Sequence, residues 1–121
     1  MNDSVIYHVC KAEEWVTARR AGQYPGSSQD RSDGFIHFST AAQVVESVAK
    51  HRAGQEGLVI LEVDAPALGA ALKWEASRGG ALFPHLYGAL SPGAVTRFAP
   101  LPLGAAGRHV FPWGLDAKAG A

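Results

Sequence analysis

The sequence predicts a single α+β domain with a split, mostly antiparallel sheet of about six strands and two helices. Three observations support this prediction. A chain of 121 residues has the length of one domain and can bury one hydrophobic core without disulfides or metal ions to stabilise it. Several short apolar runs have the alternation or the continuous apolar character of strands. Two segments with helical features lie near the N-terminal half, where we expect them to pack on the sheet.

The first predicted elements are a strand, a helix, a loop and a second strand. Residues 4–10 read as a strand, and residues 11–21 read as a helix with glutamates in its first turn and arginines in its last. This polarity is the one that the helix dipole favours. Gly22 is a suitable helix stop. The polar, turn-rich residues 23–34 predict a functional or mobile loop, and residues 35–39 predict the second strand.

The following segments predict one more helix and further strands. Residues 40–52 read as a helix, because Thr40-Ala41-Ala42-Gln43 fits a capping box and an apolar face follows it. We predict strands over 58–64, 72–75 and 94–101. The aromatic-rich segment 83–88 is predicted as a loop.

The Gly-, Ala- and Pro-rich composition after Pro102 predicts loops and frayed ends. The predicted domain therefore covers 1–103, and 104–121 form a loop-like tail.

Charge and composition exclude several classes of function. Eleven basic residues balance eleven acidic ones, so charge does not indicate a nucleic-acid partner, although a local basic pocket or a nucleic-acid acceptor stays possible. The single cysteine, Cys10, allows no intramolecular disulfide. No signal-peptide pattern and no apolar run of about 20 residues occurs, so we expect a cytoplasmic protein that does not bind membranes. The oligomeric state is left open.

Two histidines lie within runs that otherwise read as buried strands, His8 and His37. An unpaired ring nitrogen in an apolar interior costs roughly 1–3 kcal/mol, so each ring has a partner or faces a cleft. Strand alternation places His37 and Ser39 on one face. We predict a groove that gathers His8, His37 and Ser39, with Glu62 as a further candidate. The alternative is that both histidines are structural, with ring nitrogens hydrogen-bonded to other groups of the protein.

Other residues have two readings each. Cys10 is a nucleophile beside His8 or, as we favour, a small buried hydrophobe. In the segment 83–88, His85 or Tyr87 offers a hydrogen bond to a flat ligand, or the rings close the end of the core. The histidines show no metal-ligand spacing, so no metal is expected.

Four segments, in the same order, resemble a bacterial family known as domain of unknown function 952. They are Ile6-Tyr7-His8-Val9, Gly34-Phe35-Ile36-His37-Phe38-Ser39-Thr40, Lys73-Trp74-Glu75 and Phe83-Pro84-His85-Leu86-Tyr87-Gly88. The resemblance covers the chain to about Leu103 and implies no particular activity.

A fainter resemblance links the first half of the chain to the ADP-ribosyltransferase fold, especially its RNA 2′-phosphotransferase branch. The shared order is a strand with Tyr-His, a helix, a loop, a strand with His-x-Ser and a second helix. The resemblance implies NAD as a substrate, with His8 toward its ribose or adenine and with His37 and Ser39 toward its nicotinamide or phosphates. Val9-Cys10 stands where that branch has Gly-Thr.

The same resemblance supplies roles for further residues. Glu75, Glu62 and His85 compete for the place of the catalytic glutamate, and Arg31 and Arg78 are candidates for binding phosphate. The candidate catalytic residues are His37, Glu75 and His85, and the candidate ligand-binding residues are His8, Ser39, Tyr87 and Arg31.

The leading functional hypothesis is therefore an ADP-ribosyltransferase-like enzyme that acts on NAD or on an ADP-ribosylated intermediate. The alternatives are a non-catalytic module that binds a nucleotide or ADP-ribose, and a histidine-based hydrolase or unrecognised metal enzyme.

Overall fold

The computed structural model describes residues 4–120, apart from the side chain of Arg78, and this part of the chain contains six strands. The predicted domain limits also include residues 1–3 and 121, which lie outside the described residues. The strands are β1 (Val5–Lys11), β2 (Ile36–His37), β3 (Leu58–Asp64), β4 (Leu72–Ala76), β5 (Leu82–Leu86) and β6 (Val95–Leu101). They form two antiparallel sheets, in the orders β1-β3-β6 and β2-β5-β4.

Four α-helices lie among the described residues, two more than the sequence predicts. They are α1 (Ala12–Ala21), α2 (Ser28–Asp33), α3 (Val44–His51) and α4 (Leu115–Lys118). Helix α1 ends where predicted, at Gly22, whose φ of 76° is left-handed. Helix α3 begins later than predicted. The Gln43 side chain does accept a hydrogen bond from the Thr40 amide at 3.0 Å, but a turn precedes the helix.

Two predicted loops contain regular structure. Residues 23–34 include α2, which begins after Ser27 and ends at Gly34. The aromatic segment 83–88 overlaps β5, the central strand of the second sheet. Pro84 lies within β5, although proline cannot donate a ladder hydrogen bond. Its carbonyl still accepts from the Phe38 amide at 3.0 Å, so the strand tolerates it.

Within residues 4–120, one isolated bridge joins the two sheets into the predicted split sheet. The Tyr7 amide donates to the Ser39 carbonyl at 2.8 Å, and the Ser39 amide donates to the Tyr7 carbonyl at 2.9 Å. The first sheet thus meets the second beside β2 at this one bridge, and the candidate site lies next to it. The sheets and helices together form one α+β domain.

The core lies on both faces of the first sheet. Ile6, Cys10 and Leu61 pack on one face in a cluster that also includes residues of α1 and of the second sheet. Tyr7 and Ile60 pack on the other face, against α3. Leu115 of α4 is fully buried in this second cluster, so part of the segment predicted as a loop-like tail packs on the domain.

Over the described part of the chain, the helices lack the length and apolar character needed to cross a membrane.

Candidate functional site

His8 is a buried histidine whose two ring nitrogens both contact protein groups. Nδ1 lies 2.6 Å from the His37 carbonyl oxygen, and Nε2 lies 2.7 Å from the Tyr24 hydroxyl. A carbonyl only accepts, so Nδ1 carries the proton, and Nε2 of the neutral ring accepts from Tyr24. Burial lowers the pKa of His8 and keeps the ring neutral. These contacts match the alternative reading, that of a satisfied structural histidine.

His37 lies between two carboxylates of α2. Its Nδ1 is 2.6 Å from Asp30 Oδ1, and its Nε2 is 3.0 Å from Asp33 Oδ2. Carboxylates accept hydrogen bonds, so this geometry suits a ring that is protonated on both nitrogens. The hydrogen bond with Asp30 raises the pKa of His37 despite partial burial. His37 is therefore a cation held in a fixed orientation.

Asp30 connects the two histidines. Its Oδ1 also accepts from the His37 amide at 3.2 Å, and its Oδ2 accepts from the Ser27 amide at 2.8 Å and lies 3.6 Å from His8 Nε2. Burial opposes ionisation of this carboxyl. The hydrogen bonds from the ring and amide of His37 and from the Ser27 amide outweigh burial and lower its pKa from 3.8 to about 2. Asp30 is thus an ionised carboxylate that is only 3% exposed.

His85 has the same kind of partner on the neighbouring strand. Its Nδ1 lies 2.7 Å from Glu75 Oε1, which also accepts from the Tyr87 hydroxyl at 2.8 Å. Hydrogen bonds from His85 and then Tyr87 lower the pKa of Glu75. The Phe35 ring stacks on His85 with 4.1 Å between the ring centroids. This arrangement leaves Nε2 of His85 for a ligand.

The two carboxylate-bound histidines are neighbours. His37 on β2 and His85 on β5 are directly paired in the sheet register, and their ring centroids are 5.5 Å apart. Residues opposite each other on paired strands project from the same face. The sheet thus brings together two imidazoles, each of which has its own carboxylate.

Both rings line a cleft of about 700 Å³ beside the junction of the two sheets. The cleft includes four of the predicted site residues, His8, His37, Ser39 and His85. The Ser39 hydroxyl donates to the Ser47 hydroxyl of α3 at 3.1 Å. A volume of this size lies within the range of small-molecule sites.

Three predicted site residues lie outside the lining of the cleft. Arg31 is exposed on α2, because the turn of the helix that directs Asp30 inward directs the next side chain to solvent. Glu75 and Tyr87 bind each other, and Glu75 reaches the cleft only through His85. The side chain of Arg78 lies outside the described structure.

Glu62 lies on the other face of the first sheet from His8, contrary to the prediction. It pairs with Tyr7 across β1 and β3, and its carboxylate accepts from the Tyr7 hydroxyl at 3.0 Å and from Arg97 at 2.9 Å. Alternation explains the separation, because Tyr7 and His8 project from opposite faces. Glu62 is therefore part of a structural network and does not join the groove.

Sequence analysis missed four residues of the site, namely Tyr24, Asp30, Asp33 and Arg52. Only Asp30 had a local signal, because Ser27 and Asp30 have the spacing of a capping box. The Ser27 hydroxyl accepts from the Asp30 amide at 3.2 Å. Asp33 contacts His37 from only four residues away in the chain, whereas Tyr24 and Arg52 reach the site through tertiary contacts that no local pattern reveals.

Cys10 is a free and buried cysteine. Burial raises the pKa of the Cys10 thiol to about 12, which suits the buried hydrophobe rather than the nucleophile. Within residues 4–120, no group of three or more His, Cys, Asp or Glu side chains is arranged to hold a metal ion.

Comparisons with known proteins agree with the first resemblance. A family model described as "Protein of unknown function (DUF952)" matches residues 9–98. The crystal structure of protein CC0527 from Caulobacter crescentus is 47% identical, with a TM-score of 0.87, over 93% of this chain and 98% of that chain. The solution NMR structure of CC0527 is also 47% identical, with a TM-score of 0.79, over 94% and 96% of the two chains. No curated protein is significantly similar to the chain.

Proposed function

The chain belongs to the DUF952 family of proteins of unknown function, and we propose that it is an ADP-ribosyltransferase-like enzyme acting on NAD or on an ADP-ribosylated intermediate. The observation that carries the proposal is the pair of carboxylate-bound histidines, His37 and His85, which lie 5.5 Å apart at the cleft. The cleft is lined by residues of the Tyr-His and His-x-Ser segments, on which the fainter resemblance rests.

The first step of such a transfer breaks the bond between C1′ of the ribose and the nicotinamide nitrogen. Nicotinamide leaves as a neutral molecule with the bonding electron pair, and C1′ acquires positive charge in an oxocarbenium-like state. The carboxylates of Asp30 and Asp33 line the cleft, and fixed negative charge favours this state. An acceptor hydroxyl or phosphate then forms a new C1′–O bond.

The two histidines have different roles in this proposal. Nδ1 of His85 is held by Glu75, so Nε2 can accept the proton of an acceptor hydroxyl. His37 is a cation that orients an anionic group. Its contact with Asp33 is partly exposed, so a ligand oxygen can replace that carboxylate at Nε2. Glu75 is a positioning residue, since it acts through His85.

Ligand binding and formation of the ADP-ribosylated acceptor test the proposal. Millimolar NAD or ADP-ribose is expected to raise the melting temperature, because a ligand that binds only the folded state stabilises it. With an acceptor hydroxyl present, His85→Ala is expected to lower the rate at which the ADP-ribosylated acceptor forms by about 100- to 10,000-fold, the usual contribution of a general base. His109→Ala, a histidine outside the cleft, is the matched control. An unchanged melting temperature with both ligands contradicts the proposal.

The same histidine pair favours a second candidate, a hydrolase in which one imidazole is the acid and the other the base. Hydrolysis of bis-p-nitrophenyl phosphate without NAD, lost in both His37→Ala and His85→Ala, would support it. A melting shift with NAD but no nicotinamide release with any acceptor would instead support the non-catalytic binding module.

A further inference from the structure

We propose that the part of the cleft beside Val9 and Arg52 is an anion subsite that binds the diphosphate group of the ligand. The identity of the ligand rests on the proposed function. The anion chemistry of the subsite rests on the charges and hydrogen bonds of this part of the cleft.

Arg52 follows α3 and lines the cleft, where it is partly buried. One of its Nη atoms donates to the Val9 carbonyl at 3.1 Å, and the other donates to the Gln55 side-chain oxygen at 3.2 Å. Both acceptors are neutral, so neither cancels the positive charge. These bonds use two of the five N–H donors of the guanidinium group, and donors remain for a ligand.

Two other charged side chains of α3 in the lining balance each other. Lys50 and Glu46 form an ion pair at 3.6 Å. In the adjacent segment of β1 and α1, Glu14 accepts from the Lys11 amide at 2.8 Å, and Lys11 supplies a cation to the same lining. The carboxylates at α2 are bound to His37. Arg52 is thus a cation of the cleft that is bound to neutral acceptors only.

The open edge of β1 supplies a backbone N–H donor, the Val9 amide, beside the Arg52 guanidinium group. Tyr7 uses both its amide and its carbonyl for Ser39. In an antiparallel strand, the backbone groups two residues further on point to the same edge. The Val9 carbonyl does so, because it accepts from Arg52, and the Val9 amide therefore also points to this edge. The hydroxyls of Ser39 and Ser47 line the cleft as well.

This combination fits phosphate oxygens better than a single carboxylate. The planar guanidinium fork binds phosphate through paired hydrogen bonds, and a backbone amide with nearby hydroxyls can contact a second phosphate. Inorganic pyrophosphate and the diphosphate of ADP-ribose share this chemistry. Comparing the binding of pyrophosphate with the binding of ADP-ribose therefore tests the anion subsite separately from recognition of the nucleotide.

NMR titration of the ¹⁵N-labelled wild-type protein tests the subsite without a variant. Millimolar inorganic pyrophosphate is expected to shift the Val9 amide and the Arg52 side-chain N–H signals. In calorimetry, Arg52→Gln is expected to weaken ADP-ribose binding at least tenfold, and Arg52→Lys to weaken it less because the charge is kept. Arg108→Gln, which changes an exposed arginine outside the cleft, is expected to bind as the wild type does.

Two results overturn the inference. One is that pyrophosphate shifts only signals elsewhere, for example at Arg19 and Arg20, which line a separate shallow pocket. The other is that Arg52→Gln binds ADP-ribose as tightly as the wild type. If pyrophosphate shifts Val9 and Arg52 while ADP-ribose and NAD fail to bind, the subsite stands and the proposed function fails.

Discussion

Asp30 is the single residue on which most of the site geometry depends. It holds the ring and the amide of His37, accepts from the Ser27 amide, and lies near His8. A buried carboxylate is stable only when it is paired and hydrogen-bonded. The removal of its charge therefore affects both the orientation of His37 and the stability of the fold.

Asp30→Asn is expected to reduce the free energy of unfolding by about 1–3 kcal/mol, because charged hydrogen bonds in a buried site are lost. The pKa of Asp30 is lowered from 3.8 to about 2 in the folded protein. The contribution of Asp30 to the free energy of unfolding is therefore lost as the pH falls through this range. The pKa of His37 is raised above 6.5, so its contribution is present below pH 6.5 and is lost as the pH rises through the folded value.

The stability difference between the wild type and Asp30→Asn is therefore expected to be largest between about pH 4 and 6.5. Urea unfolding across pH measures it, and NMR titration of His37 is expected to show a lower pKa in the variant. Asp33→Asn is the control, since this partly exposed carboxylate contributes at most about 1 kcal/mol. If Asp30→Asn lost the same free energy of unfolding at every pH, the charge pair of Asp30 and His37 would not be the source of the stability difference.

At the scale of elements, the short helix α2 sets the position of Asp30. Its first turn is closed by Ser27 and Asp30, each of which accepts from the other's amide. Gly26 precedes this turn with a φ of 101°, and an added Cβ there would lie 2.7 Å from the Asp30 Cβ. The start of the helix thus requires glycine for two reasons, the backbone conformation and the close approach of Asp30.

Gly26→Ala is expected to destabilise the protein more than Gly34→Ala does, by at least about 1 kcal/mol. Both glycines have left-handed φ values, 101° and 88°, but an added Cβ at Gly34 meets nothing within 4 Å. Gly34→Ala therefore carries only the backbone strain, about 1–2 kcal/mol. Urea denaturation of the two variants measures the difference. If both variants lost the same free energy of unfolding, the Asp30 side chain would have to move away from the added Cβ without any loss of stability.

At the scale of the whole molecule, the C-terminal segment packs on the outer face of the first sheet. Leu115 is fully buried with Tyr7 and Ile60, and Arg97 lies over the Trp113 ring at 4.3 Å. Arg97 also binds Glu62. The segment after Leu103 thus covers the face of the sheet that is turned away from His8.

Leu115→Ala is expected to lower the free energy of unfolding by about 2–5 kcal/mol, because it leaves a cavity in the core. Leu82→Ala makes the same chemical change at a side chain that is 54% exposed, and it is expected to change stability by no more than about 0.5 kcal/mol. Thermal or urea unfolding compares the two. A Leu115→Ala variant as stable as Leu82→Ala would show that the segment after Leu103 is dispensable to the fold.

The amino-acid sequence predicted correctly the features that depend on local periodicity. It located β3 at 58–64 and the end of α1 at Gly22, and it placed His8 and His37 within strands. Strand alternation follows from backbone geometry alone, so the faces of Ile6, Tyr7 and His8 could be read without a fold.

Only the tertiary structure decided which chemical groups meet. The contacts of His37 with His85, of Arg52 with Val9, and of His8 with Tyr24 join segments far apart in the chain. Such contacts depend on strand order and register, which local periodicity does not specify. The same limit explains the errors. The sequence pattern groups Glu62 with His8 although they lie on opposite faces of the paired strands, and it predicts a loop over 83–88 although β5, which overlaps this segment, is a central strand between two neighbours.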